Sequence, residues 1–481
     1  MPQIFKAFFL NNLGVGQTII KNTFWLTLGE ITVRIFGFAV AIYVARTLGA
    51  TEYGKFIFAF SFVYLMSIFS NLGVIDISTR ELSRSRDNEK KFNSFFTLGV
   101  FLCLLVLILT CVISFFITPD PTIRAMIGIL SFSMLSASLF EITFSFLRAR
   151  QKMEYEASIK IFQAIVNTVA VLFIIFNIPS GVNLSYAYMA SNLMVMIVVL
   201  FMFHAFVHRL MFVWDRRSLN FLKISWPLSL GFTTTWLYVL ITSIMLGLLG
   251  LNTENGWYSA ASKIALAAMI PADLMIRGFY PSLSNFFLSS RDRFHVIWGY
   301  FVQTMVSSAL PIIVGGVVVA PGVIDFFYGS GFAPSVFSFQ LLSVVVGVAF
   351  ITCPYGLLLI VSDHQDKNFF LVIMGVVVDI ILNLLLIPWY GFYGAIISTI
   401  IASLLVLFGT IIVLKRFSAF ILFDKKLAKM TLISLVSVTV MYFCITLPSV
   451  YGLNVFLVIF MGGLVYCGTF FLLYRLTFLK K

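Results

Sequence analysis

The sequence predicts an all-α polytopic membrane protein with about fourteen transmembrane helices. Three observations predict it. Of the 481 residues, 60% are hydrophobic and only 11% are charged, a balance foreign to soluble domains. Apolar runs of about 20 residues, enough to cross a hydrocarbon core of about 30 Å, recur along the whole length. The charges that do occur gather in alternate connections between these runs. Backbone polar groups in lipid must bond within their own segment, so runs this long and this apolar are helices.

In order, the runs cover about 20–47, 53–75, 93–117, 122–147, 156–177, 184–207, 225–250, 256–279, 295–320, 335–361, 368–388, 391–414, 428–447 and 453–475. The first is too long for a cleaved signal, and no small-residue cleavage site follows it. One set of connections holds RELSRSRDNEKK, LRARQK, RLMFVWDRRSLNFLK, SSRDR, SDHQDK, KRFSAFILFDKK and the terminal LKK. The other set holds TPDPT, NIPSGVN, GLNTENG, GVIDFFYGSGFAP, IPWYGFYG and LPSVYGL, with no Lys or Arg. The first outer turn, RTLGATEYGK, is an exception with Arg46 and Lys55, and Arg124 follows TPDPT closely. The positive-inside rule therefore assigns the basic loops and both termini to the cytoplasm. The net charge of +13 reads as a topology signal, not as a nucleic-acid footprint. Every connection is short, so function must reside among the helices.

The five cysteines, Cys103, Cys111, Cys353, Cys444 and Cys467, lie inside apolar runs and form no CxxC pair. They read as small hydrophobes, with neither a disulfide framework nor a metal site implied. His204 and His208 are four apart, but they sit at a helix end beside Arg209 and read as interfacial. Most tryptophans also lie near span ends, as an aromatic belt requires.

An internal repeat is visible. Trp25 and Trp226 each open a span from the cytoplasmic side, and Leu48-Gly49 and Leu249-Gly250 close those spans at the same offset. The pattern divides the chain into an N-terminal lobe at 1–215, a C-terminal lobe at 216–420 and two additional helices at 421–481. Two bundles of equal topology, related by an axis along the membrane normal, are the parallel-repeat plan of many secondary transporters.

The first span carries an anomaly. Its stretch TLGEITVRIFGFAVAIYV, Thr27 to Val44, places Glu30 and Arg34 near mid-membrane. A charge at that depth costs a few kcal/mol on the gentlest scales. Thr23, Thr27, Glu30, Arg34, Gly37, Ala41 and Ala45 recur at three- and four-residue spacing and form one small, polar face. Such a face belongs against protein or water. Glu30 precedes Arg34 by four, the favoured order for a helical ion pair. The pair is either a permanent lock to a neighbouring helix or a functional group.

YVARTLGATEYGKFIFAFSF, SNLGVIDISTREL, SWPLSLGF, GWYSAASKIALAAMIPADLMIRGFYPSLS and DIILNLLLIPWYGFYGAIIST occur in this order along the chain. Together they resemble the polysaccharide (Wzx/PST-type) flippases of the multidrug/oligosaccharidyl-lipid/polysaccharide (MOP) superfamily, over nearly the whole length. The resemblance implies a fold like the multidrug-and-toxin-extrusion (MATE) transporters, with two six-helix lobes around a central cavity. It implies a polyprenyl-pyrophosphate-linked oligosaccharide as substrate, an O-antigen or other surface polysaccharide unit. It further implies movement from the cytoplasmic to the outer leaflet of a bacterial inner membrane, by alternating access.

A substrate of that kind needs cations at membrane depth for its pyrophosphate. Arg34 is the first candidate, exchanging Glu30 for phosphate. Lys263, in SAASKIAL beside Ser259, Ala260 and Ala267, is the second, or else a lysine that snorkels outward. Asp76 with Arg80, and Asp273 with Arg277, repeat the acid-then-Arg spacing at the inner ends of spans 2 and 8; they read as gate or topology devices. Pro271 should kink its helix just before the second pair. Asp379, with Asn383 one turn on, and Glu141 are candidates for a coupling proton or sodium. For both carboxyls the competing reading is a neutral, hydrogen-bonded group that packs helices, and at Glu141 that reading is favoured.

No cofactor is implied beyond a proton or sodium gradient. The expected partners are the lipid-linked oligosaccharide, membrane lipid and other assembly proteins such as a polymerase or chain-length regulator, with no nucleic acid. No Walker A sequence is present, which argues against an ATP-driven pump. A multidrug exporter of the same fold and a membrane-embedded polymerase or glycosyltransferase are the rival functions. The short, nearly uncharged outer loops count against the enzymes.

Overall fold

A computed structural model describes residues 14–84, 88–207, 209–215, 240–417, 425–447 and 453–478. Every regular element among them is helical. The chain divides into two compact units, Met1–Thr253 and Glu254–Lys481.

The first unit opens with α1, Val15–Asn71, which bends at Gly49 with φ 72° and ψ 169°. Only glycine adopts that backbone cheaply. α5 spans Met153–Asn177 and α6 spans Gly181–Met202. Along the first leg of α1, Lys21 bonds Glu154 and Tyr43 packs on Phe176, so this leg runs parallel to α5. Along the second leg, Glu52 approaches Gly181 and Phe56 packs on Tyr188, so this leg runs parallel to α6. A three-residue turn joins α5 to α6, which makes them antiparallel, and α1 is therefore a hairpin. Two contacts fix the first leg. The fully buried Lys21 ammonium donates to Glu154 at 2.9 Å and to the Gln151 carbonyl at 3.4 Å. A side chain at Gly29 would stand 3.2 Å from Ala157 Cα, so the two helix backbones nearly touch there.

The second leg ends earlier than the run 53–75 suggests. Leu72 at φ 40° and Gly73 at φ 78° break it. A separate amphipathic helix, α2 (Val74–Arg84), follows and buries Val74, Ile77, Ser78 and Leu82. Asp76 and Arg80 thus stand on α2, both exposed, and not at the inner end of span 2; Arg80 meets Glu81 at 3.4 Å. The reason is local: two successive left-handed residues cannot continue a helix.

α3 (Asn88–Ile117) and α4 (Pro121–Ala149) complete the unit's packed helices with α5 and α6. The Asp120 carboxylate caps α4, accepting the Thr122 N–H at 2.8 Å, and meets Lys55 at 3.2 Å. Burial works to raise this carboxyl, but the Thr122 hydrogen bonds and the Lys55 ammonium outweigh it, so it titrates below the usual carboxylate range. Residues 216–239, with Trp226, Trp236 and most of the run 225–250, lie outside the described residues, as does His208; helix is present again over 240–248.

The second unit begins within α7 (Asn252–Ala268), which gives way at Met269 to α8 (Ile270–Ser289). This is the break expected of Pro271. α9 (Arg291–Tyr328), α10 (Ser335–Val361), α11 (Gln365–Phe417), α12 (Lys425–Ile445) and α13 (Val455–Phe478) follow. α11 is a second hairpin, turning at Gly391 with φ 56°. Gly394 lies against the Leu386 carbonyl and Gly409 against Leu371, so its two legs are antiparallel.

α9 contains Pro311 and Pro321, each of which deprives the carbonyl four residues earlier of its N–H donor. Neighbouring helices supply the missing donors. Gln340 of α10 donates to the Val317 carbonyl at 3.1 Å. Tyr466 of α13 donates to the Ser307 carbonyl at 2.7 Å, joined by Ser434 of α12 at 3.2 Å. Lipid offers no donors, so such repair is what allows proline inside a spanning helix.

Eleven helical stretches among the described residues are long and apolar enough to cross a membrane. Two of them are the hairpins, which makes thirteen legs of that kind among the described residues; the expected run 225–250 lies mostly outside them. The chain is a multi-pass membrane protein. All five cysteines are free.

Candidate functional site

In the first unit, the Arg34 Nε donates to Glu30 Oε1 at 3.2 Å. Neither side chain is enclosed: they are 34% and 43% exposed. A purely structural lock would exclude solvent to gain Coulomb strength, and this pair does not. On the second leg of α1, Tyr64 is 36% exposed. Glu141 is itself exposed and has no hydrogen-bond partner among the described residues. Phe140 and Phe144 pack into the core, while Glu141 between them reaches the surface.

Tyr64 ends an aromatic ladder. Its ring follows Phe60 at 6.3 Å, and Tyr188 of α6 meets Phe60 at 6.0 Å and Phe56 at 5.7 Å. The Tyr188 hydroxyl faces Asn167 of α5. From there a polar chain crosses the helices. Ser191 donates to Asn167 Oδ1 at 3.0 Å, Gln163 donates to Asn192 Oδ1 at 2.9 Å, and Asn192 donates to Ser133 at 2.8 Å. One to two turns beyond Tyr64 and one turn before Glu141, Ser67, Ser70 and Ser138 line a small pocket with Cys103, Thr110 and Ser131. Tyr64, Tyr188, Gln163 and Asn167 are absent from the sequence-derived candidates. A signal existed for the amides: Glu156, Lys160, Gln163 and Asn167 follow one another at spacings of four, three and four on one helix.

In the second unit, Lys263 of α7 is half-buried and has no anionic partner among the described residues. Asp379 and Asn383 sit on the first leg of α11 and are 1% and 0% exposed. Thr399, on the second leg, faces the Asp379 carboxyl. Asn383 also faces that carboxyl, yet Asp379 Oδ1 and both polar atoms of Asn383 make no hydrogen bond of good geometry among the described residues. Buried polar atoms without partners cost about 1–3 kcal/mol each, a cost that a bound proton or cation removes. Asp273 is half-buried and Arg277 exposed on α8, below the Met269 break.

The structure thus pairs Glu30 with Arg34 on the first leg of α1, and places Asp379 and Asn383 one turn apart on the first leg of α11. Asp76 and Arg80 form a separate exposed group on α2.

A search for similar solved structures returns transporters. The protein titled lipid II flippase MurJ, in an inward closed conformation, matches with a TM-score of 0.76 at 16% identity, over 93% of this chain and 98% of its own. An inward-facing MATE multidrug resistance transporter of the MOP superfamily matches at 0.63 and 14% identity, over 83% of this chain and 100% of its own. A MOP superfamily transporter from Pyrococcus furiosus, described as having a binding pocket of reverse polarity, matches at 0.53 and 13% identity, over 83% of this chain and 95% of its own. At these identities the likeness establishes the fold alone, an all-helical polytopic architecture. No curated protein matches in sequence. A family described as polysaccharide biosynthesis protein matches residues 19–287, more than half of the chain. That stretch runs from the first leg of α1 through α8 and contains the Glu30–Arg34 pair, Tyr64, Glu141 and Lys263; the chain belongs to the polysaccharide biosynthesis protein family.

Proposed function

We propose that this protein is a flippase, not an enzyme, which carries polyprenyl-pyrophosphate-linked oligosaccharide repeat units of O-antigen or another surface polysaccharide. Movement runs from the cytoplasmic to the outer leaflet of the bacterial inner membrane by alternating access, with both termini cytoplasmic. Family membership supports the pathway, and the observation that carries the reading is the half-exposed Glu30–Arg34 pair at mid-membrane. Arg34 has a planar fork that brackets phosphate oxygens. In this reading it releases Glu30 when pyrophosphate arrives, and Lys263 is the second cation. Asp379, with Asn383, takes the coupling proton or sodium. Asp76 and Arg80 in one lobe, and Asp273 and Arg277 in the other, act in the cytoplasmic gate. The lobes are 1–215 and 216–420, followed by the two helices of 421–481. The polymerase and chain-length regulator of the same polysaccharide are the expected protein partners.

The second reading is a multidrug exporter. Glu30, Glu141 and the Tyr64 ring favour it, because carboxylates and aromatic faces attract organic cations.

Complementation of a flippase-deficient strain, with membrane protein level measured, tests the first reading. Arg34→Ala should abolish surface polysaccharide, and Arg34→Lys should retain part of it. Glu30→Gln with Arg34→Gln should stay inactive at normal abundance. A fully active double variant would reduce the pair to a structural lock. Drug resistance without complementation would favour the exporter.

A further inference from the structure

We propose that the ladder of Phe60, Tyr64 and Tyr188, together with the amides of Gln163 and Asn167, is the saccharide-reading surface of the first unit. The inference rests on the flippase reading and assigns the sugar part of the substrate to named side chains. A sugar ring has two chemistries. Its C–H face is weakly positive and apolar, and its rim carries hydroxyls that both donate and accept. The negative face of an aromatic ring suits the first. Amides, which hold donors and an acceptor in one plane, suit the second. The first unit holds both within one set of helices.

The rings lie at the required place. Tyr64 is exposed and Phe60 and Tyr188 are half-buried, so the ladder is partly open. Tyr188 joins the two chemistries, with its ring against Phe56 and Phe60 and its hydroxyl facing Asn167. The amides are anchored yet not exhausted. Gln163 uses its Nε2 on Asn192, and its Oε1 has no partner among the described residues. Asn167 accepts from Ser191 through Oδ1, which leaves its amide nitrogen for the Tyr188 side and a ligand. Both side chains are half-buried on a membrane helix, where an amide turned to lipid would be costly. A pyrophosphate needs no rings, and an organic cation needs no amides. The combination fits a hydroxylated ring. Arg34 lies on the same α1 hairpin as Tyr64. The proposed phosphate and sugar contacts thus lie on one hairpin and the two helices packed along it.

The test uses the purified full chain in lipid nanodiscs and two probes, undecaprenyl pyrophosphate and the same lipid carrying one N-acetylhexosamine. Binding of each is measured by native mass spectrometry. The wild-type chain should favour the glycosylated lipid by about tenfold, and Tyr64→Ala and Gln163→Ala should each cut that ratio about fivefold. Affinity for the bare lipid should hold, and Tyr64→Phe, which keeps the ring, should retain most of the preference. An unchanged ratio in Tyr64→Ala and Gln163→Ala would overturn the proposal. So would an equal loss of both probes, which marks a structural role, or a wild-type chain that binds both lipids alike. A wild-type chain that binds neither lipid would instead remove the flippase reading on which the proposal stands.

Discussion

The Glu254 carboxylate accepts the backbone N–H of Phe392 at 2.7 Å, so the first turn of α7 holds the bend of the α11 hairpin. The first unit repeats the device: Glu52, just past the Gly49 bend, lies against Gly181 at the start of α6. Each carboxylate lies two residues before a glycine, in EYG and ENG. Each is aimed at a turn with related sequence, IPSG in one unit and IPWYG in the other.

Glu254→Ala should therefore leave the Phe392 N–H without its acceptor and destabilise the chain by about 1–3 kcal/mol. Glu254→Gln keeps a carbonyl oxygen in place and should lose less. Thermal unfolding in detergent, followed by intrinsic fluorescence, ranks the three proteins. Equal melting temperatures for the wild type and Glu254→Ala would show that the clamp contributes nothing.

The proline repair in α9 makes a non-additive prediction. Tyr466→Phe removes the hydroxyl that reaches the Ser307 carbonyl and should cost about 1–3 kcal/mol. In a Pro311→Ala background, residue 311 regains an N–H and can bond Ser307 itself. Tyr466→Phe should then cost much less. A double-mutant cycle on melting temperature checks this. Additive losses would mean that Tyr466 acts through packing alone.

Asp379→Asn keeps the shape of the buried carboxyl and removes its charge. If the Asp379–Asn383 pair holds the coupling ion, sodium or acid should stabilise the wild-type chain and leave Asp379→Asn unmoved. Surface polysaccharide in the variant should lose its dependence on the ion gradient. An ion-induced stabilisation that persists in Asp379→Asn would pass the role to Glu141.

Much of the architecture is local and so was legible in the sequence. Gly49 and Pro271 mark their bends because each acts on its own backbone. The end of the second leg was misjudged by a few residues, since hydropathy runs straight through the Leu72–Gly73 turn into the apolar side of α2. Glu141 was harder. Composition gives its depth, but only the packed structure shows that it reaches the surface while Phe140 and Phe144 pack into the core. Tyr64 and Tyr188 carry no motif, and the α5 amides carry only a helical spacing. They become one surface because α1 folds back between α5 and α6, a relation across more than a hundred residues. Asp379 and Asn383 were legible as a pair at helical spacing, but their want of well-placed hydrogen bonds depends on α11 folding back on itself.

The attachment of α12 and α13 has a consequence for handling the protein. They follow α11, so they invite removal when a smaller particle is wanted. Yet α9 depends on them. Their Ser434 and Tyr466 hydroxyls serve the carbonyl that Pro311 strands, and their apolar residues cover Leu310, Val314 and Val318. A chain cut after Phe417 loses both at once, and neither detergent nor acyl tails can replace the hydroxyls. Trimming this end should yield a weaker protein, and purification tags belong beyond Phe478, with α13 left whole.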